Sequence, residues 1–200
     1  MTTREQGRIP PQKTILIYCE GETERIYFEQ MKILKRSKTV SVKIKNVKRS
    51  AIKLANHAYR DASYQPFDEI WIVFDKDDLT DWQLEEVNEF CERHNIGIAY
   101  TNEAFELWLL MHFEEIDVKK VYPRALLNEK MEQHLQVSRY LRNKANAEVI
   151  APIALRHEIA LSNCITMMQR RDTESRDNPY CNIHEMLYKV FYLKNACNHF

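Results

Sequence analysis

The spacing of hydrophobic and polar positions changes several times along the chain, and each change marks an element. Residues 15–19 (Ile-Leu-Ile-Tyr-Cys) are an apolar, β-favouring run that predicts a strand over 14–19. Tyr27, Met31 and Leu34 then recur at helical spacing, predicting a helix over 24–36. Over 39–47, Val40, Val42 and Ile44 alternate with Ser41, Lys43 and Lys45, the pattern of a strand with one buried and one basic face. Ala51, Leu54, Ala55, Ala58 and Ala62 share one side of a helix over 50–62 that can pack closely on a sheet. Residues 69–75 (Glu-Ile-Trp-Ile-Val-Phe-Asp) are apolar without alternation, as in a central strand covered on both faces. Thr80 and Gln83 form a capping box for a helix over 81–93, which shows Leu84, Val87, Phe90 and Cys91. Residues 96–101 read as a fourth strand, and Asn102 as the N-cap of a helix over 103–113.

Strands alternating with helices through short crossovers predict an α/β fold, an open parallel four-stranded sheet with helices on both faces. The switch-point rule gives the strand order 2-1-3-4. Beyond Glu114 no strand pattern recurs, and residues 124–137, 148–171 and 183–195 read as helices. Asn182 and Glu185 look like the cap and third position of the last of these, and Pro152 is tolerable in the first turns of the long one. The expected organisation is a mobile tail over 1–12, an α/β catalytic core over 13–113, and a helical region over 114–200 packed on that core.

Composition narrows the class. With 200 residues, 44% hydrophobic and 29% charged, the chain fits one ordinary globular domain with a helical appendage. Only 3 glycines are present, and neither GxGxxG nor GxxxxGK[ST] occurs, so a Gly-rich phosphate loop is excluded. The N-terminus lacks the apolar stretch of a signal peptide, and no apolar run approaches bilayer length, so the expectation is a cytoplasmic protein with no membrane role. The 5 cysteines have no CxxC spacing and read as reduced thiols. Net charge is zero but unevenly spread. Residues 32–60 carry ten basic residues and no acid, whereas 68–92 carry ten acids and one base, Lys76. That segregation suits a polyanion held beside bound metal ions, and equally two solvated faces of opposite sign.

Candidate chemistry clusters where strands end. Glu20 interrupts the first strand at its mouth, Gly21 relieves the turn, and Glu24 falls in the first helical turn. Asp75, Asp77 and Asp78 end the third strand, with Asp75 and Asp77 free to point the same way and Lys76 elsewhere. Carboxylates so crowded repel unless a cation sits among them, and all-oxygen ligands select Mg²⁺ or Mn²⁺. Glu106 opens an otherwise apolar helix and needs a partner, either a metal or the amides of its own first turn. Trp108, Leu109 and Met111 read as core, and His112 as a satisfied core histidine. Lys43, Lys45, Lys48 and Arg49 are candidate phosphate contacts, and the first two also guard an edge strand. Arg139, Arg142 and Lys144 can add to them or be solvated helix ends. A zinc site from Cys181, His184, Cys197 and His199 is a minor alternative because the spacing is irregular.

Glu20-Gly-Glu-Thr-Glu24, Phe74-Asp-Lys-Asp-Asp78 and Asn102-Glu-Ala-Phe-Glu-Leu-Trp-Leu-Leu-Met-His-Phe113, followed by Asn178-Pro179 and the helix after it, resemble the RloB-like family. These are Toprim-related proteins of bacterial abortive-infection and restriction loci. The resemblance implies a Toprim-like sheet, a Mg²⁺-dependent nuclease activity and operation beside an ABC-type ATPase. It also implies metal-centre roles for Glu20, Glu24, Asp75 and Asp77. The chain departs from the family at Glu103-Ala104, where an Asn-Pro-Cys-like turn is usual, and at Cys181, where a small hydroxyl residue is usual.

Taken together, the expectation is a nuclease cleaving DNA or RNA with Mg²⁺ or Mn²⁺. Glu20, Asp75, Asp77 and Glu106 are its catalytic residues, and Glu20, Glu24, Asp75, Asp77 and Asp78 its metal ligands. Toprim-type nucleotidyl transfer and a non-catalytic nucleic-acid or partner-binding module are the rival readings.

Overall fold

A computed structural model describes residues 12–37, 40–77, 79–137, 139–171 and 175–192. Four parallel strands, β1 (Lys13–Cys19), β2 (Val40–Asn46), β3 (Glu69–Asp75) and β4 (Ile96–Asn102), lie in the order β2-β1-β3-β4 that the sequence predicts. A fifth, β5 (Tyr180–Cys181), pairs antiparallel with the end of β4 and makes the sheet mixed. It corrects the reading that no strand follows Glu114.

Side-chain parity divides the sheet into two cores. Leu16 and Tyr18 of β1, Ile72 and Phe74 of β3 and Tyr100 of β4 face α2 (Ala51–Tyr64) and α3 (Asp81–Arg93). Ile15, Ile17, Trp71, Val73 and Ala99 face the other way, onto α1 (Glu22–Leu34) and the helical region. That region comprises α4 (Glu106–Leu110), α5 (Arg124–Leu135), α6 (Tyr140–Asn143), α7 (Ala147–Ala154), α8 (His157–Arg170), α9 (Ile183–Leu187) and a π-helical turn at Tyr188–Tyr192. Asp75 shares the parity of Trp71 and Val73, so it opens toward the helical region.

Several expected elements are corrected. The helix over 103–113 shrinks to α4, because its side chains are buried on every side and packing, not an amphipathic face, sets its length. Asn102 is no cap; it ends β4, its side chain donating to the Arg176 carbonyl at 2.9 Å. The single helix over 148–171 is two, since α7 packs on α1 while α8 packs on α4 and β5. The helix from 183 gives way to the π turn at Tyr188, and residues 193–195 lie outside the described residues. Asn182 precedes that helix without capping it through its side chain. Instead it accepts from Tyr100 N (2.7 Å) and donates to Ile98 O (3.1 Å), continuing the β5–β4 pairing with a side-chain amide. The capping box of α3 is present as expected. The expected tail over 1–12 falls almost wholly outside the described residues, and among them no helix is long and apolar enough to cross a membrane.

Candidate functional site

The mouths of β1, β3 and β4 are tied into one edge by main-chain bonds that continue past the strands. Glu20 N donates to Val73 O (2.9 Å), Lys76 N to Thr101 O (2.8 Å) and Asp77 N to Glu103 O (3.3 Å). Asp77 has a φ of 41°, a left-handed conformation that aspartate tolerates better than most residues. Around this edge lies an open cleft of about 290 Å³, lined by Glu20, Glu24, Asp75, Asp77 and Glu106. Glu22 also borders it but pairs with Arg25 Nη2 at 2.6 Å. Asp78 lies outside the described residues.

Each carboxylate is held differently. Glu20 accepts from the Asp75 main-chain N–H; burial pushes its pKa up and that bond pulls it back. Glu24, in the first turn of α1, is pushed up to about 7 by burial, with the charges of Glu106 and Glu20 adding to the effect. Asp75 is raised well above the carboxylate range, first by burial and then by Glu24 and Glu106, although Thr101 Oγ1 donates to it at 3.1 Å. Glu106 is 1% exposed and meets Lys144 Nζ at 2.7 Å. The partner the structure gives it is a lysine, which the sequence reading did not anticipate. Asp75 and Asp77 share Arg124, whose Nη2 lies 3.4 Å from Asp75 Oδ2 and 3.0 Å from Asp77 Oδ1. Lys76 turns away to Asp81 at 2.8 Å.

Gly21 has a role different from the expected one. Its φ of −113° and ψ of 166° are open to any residue, so the turn does not require glycine. A Cβ there would overlap the Glu24 carboxylate, which folds back over the glycine. The glycine makes room for the acid.

Sequence reasoning missed the pairings of Arg124 and Lys144 with the acids. Arg124 carried a signal: a base in the first turn opposes the helix dipole, where acids are favoured. Lys144 carried none. The other candidates scatter. Lys45 is paired to Asp61 at 2.6 Å and Lys43 sits over the Phe67 ring at 5.3 Å, both on the α2 side of the sheet. Lys48 and Arg49 are exposed at the end of β2, on the same sheet edge as the cleft. His112 is a core histidine, its Nε2 3.0 Å from Tyr27 Oη and its Nδ1 on the Trp108 carbonyl; burial lowers its pKa to about 3. Cys181 and His184 adjoin Cys164, whose Sγ lies 3.4 Å from Cys181 O and 3.3 Å from His184 Nδ1; Cys197 and His199 lie outside the described residues.

A family model described as RloB-like protein matches residues 15–190, which contain every one of these cleft residues. The chain belongs to the RloB-like family. No curated protein and no solved structure matches it. For an RloB-like chain a divalent cation is the implied cofactor. Among the described residues no three His, Cys, Asp or Glu side chains gather closely enough to hold a metal as they stand. The donor chemistry does fit a hard dication. The set is all oxygen, and the burial and neighbouring acid charges that raise Glu24 and Asp75 disfavour their ionised forms, a cost that a doubly charged ion relieves.

Proposed function

We propose that the chain is a metal-dependent phosphodiesterase acting on DNA or RNA. The observation that carries the reading is the convergence of Glu20, Glu24, Asp75, Asp77 and Glu106 on one cleft at the strand mouths, with Glu24 and Asp75 both raised, first by burial and then by neighbouring acids of the cleft. Pairs of titratable groups displaced in this way cluster at functional sites.

Glu20, Asp75, Asp77 and Glu24 would hold one or two Mg²⁺ or Mn²⁺ ions, which supply Lewis acidity and an activated water when bound. Glu20, partly exposed and hydrogen-bonded to the Asp75 amide, is placed to receive a proton from the nucleophile. Thr101 Oγ1 fixes the orientation of Asp75. Lys144 holds one oxygen of Glu106, leaving the second to orient a group in the cleft. Lys48 and Arg49 flank the path of a phosphate backbone along the sheet edge.

Family membership supports a role in bacterial anti-phage defence, in the cytoplasm, under control of a neighbouring ABC-type ATPase; a Toprim-type chemistry is part of the same reading. One observation favours a second one. Arg124 and Lys144 already balance part of the acid cluster, as they would in a non-catalytic module that binds nucleic acid or a partner. A cleavage panel on purified protein, with DNA and RNA in Mg²⁺ and Mn²⁺, with and without the ATPase, separates the two. The phosphodiesterase reading expects Asp75→Ala to lower cleavage by about a hundredfold or more while thermal stability holds or rises, because a repelled, desolvated carboxylate is removed. Undiminished cleavage by that variant, or cleavage in EDTA, would falsify the proposal, and binding without turnover under all conditions favours the module.

A further inference from the structure

Among the described residues Arg124 is the one cation paired with both Asp75 and Asp77, and the contact is loose. Neither distance, 3.4 Å to Asp75 and 3.0 Å to Asp77, is that of a tight bidentate pair, and the guanidinium side chain is 36% exposed. Lys144 differs, at 2.7 Å from a carboxylate that is itself 1% exposed. Lys144 is committed to one buried acid, whereas Arg124 is divided between two.

The placement of Arg124 is built by the surroundings. Asn178 clasps Tyr122, accepting from its N–H at 2.9 Å and donating to its carbonyl at 3.0 Å, immediately before Pro123 starts α5. No acid stands in the first turn of α5 to draw Arg124 away, and Arg124 lines the cleft. Behind the cleft, the hydroxyl of Tyr140 is 0% exposed and feels the charges of Glu106 and Glu24.

We infer that Arg124 is a phosphate-binding residue held in reserve: it neutralises Asp75 and Asp77 until a divalent cation takes them, and then turns its guanidinium to a phosphodiester of the substrate. The inference rests on the metal-centre reading above. The planar fork of arginine matches phosphate oxygens as well as carboxylates, so the exchange keeps its donors paired. Charge is conserved in character, a dication replacing a monocation on the acids and the monocation moving to an anion.

The test uses the full chain and two substitutions, Arg124→Gln and Arg124→Lys, each checked for folding by circular dichroism. Mn²⁺ affinity is read from the electron paramagnetic resonance of free Mn²⁺. Binding of a short labelled single-stranded DNA and of its RNA counterpart is read by anisotropy in Ca²⁺, which takes the same oxygen ligands. Arg124→Gln is expected to bind Mn²⁺ about tenfold more tightly, having lost a competing charge, and to lose most of the cation-dependent oligonucleotide binding. Arg124→Lys should keep the wild-type Mn²⁺ affinity. Unchanged or weaker Mn²⁺ binding by Arg124→Gln overturns the exchange while leaving the metal centre standing. Tighter Mn²⁺ binding with undiminished oligonucleotide binding overturns the phosphate assignment. Absence of Mn²⁺ binding in wild type and variants alike removes the metal centre and this inference with it.

Discussion

At the scale of single residues, Gly21 separates stability from function. Its backbone angles suit alanine, and the clash is with the flexible end of Glu24. Gly21→Ala should therefore change folding stability by less than about 1 kcal/mol, helped by a less flexible unfolded chain. The displaced Glu24 should weaken Mn²⁺ binding, and thermal unfolding beside a Mn²⁺ titration reads both effects. His112 gives a pH dependence of defined sign. Its folded pKa of about 3 lies below the ordinary value, so the unfolded chain binds the proton more readily. The stability it contributes is present above about pH 6.5 and is lost as pH falls toward 3, by at most about 1.4 kcal/mol per unit. His112→Gln should be less stable at neutral pH but lose less on acidification, so denaturation curves of the two proteins converge in acid.

At the scale of elements, β5 is held as much by a side chain as by its own backbone. Asn182→Ala leaves the Tyr100 N–H and the Ile98 carbonyl without their partner and should cost about 2 kcal/mol in chemical denaturation. Gly97→Ala meets a rigid neighbour: a Cβ there would lie 2.5 Å from the Trp71 ring, which faces it across β3 and β4. Overpacking of that kind costs about 1–3 kcal/mol. Elements with a strong period and marked ends were legible in the sequence. β3 and α3 run from Glu69 to Asp75 and from Asp81 to Arg93, the bounds that apolar continuity and the Thr80–Gln83 box predict. The 103–113 run was not, because a stretch buried on all sides has no periodicity to mark its end. Nor was β5, whose two residues are fixed by contact with β4 and by no local pattern. The acids of the cleft were readable because each follows a strand, whereas Lys144 reaches Glu106 across 38 positions of sequence and left no trace in it.

For the whole molecule, zero net charge conceals a basic stretch that is matched only in part. Lys32, Lys35 and Lys45 are matched by Glu29, Glu158 and Asp61. Lys48 and Arg49 remain exposed beside the cleft edge. If they track a single-stranded backbone, replacing both by alanine should lower the slope of log affinity against log salt by about 1.4, at roughly 0.7 per phosphate contact. Lys43→Ala should leave that slope unchanged, since it lies on the other side of the sheet. Filter binding across a salt series measures both.

Residues 176–182 touch no acid of the cleft, yet they grip it on two sides. Arg176 offers its carbonyl to Asn102 where β4 ends, and Asn178 grasps the residue two before Arg124. Anything that tugs this segment would loosen the guanidinium and the strand mouth in one movement. The molecule thus has a remote handle on Arg124 and the strand mouth, one that can be reached without the acids being approached.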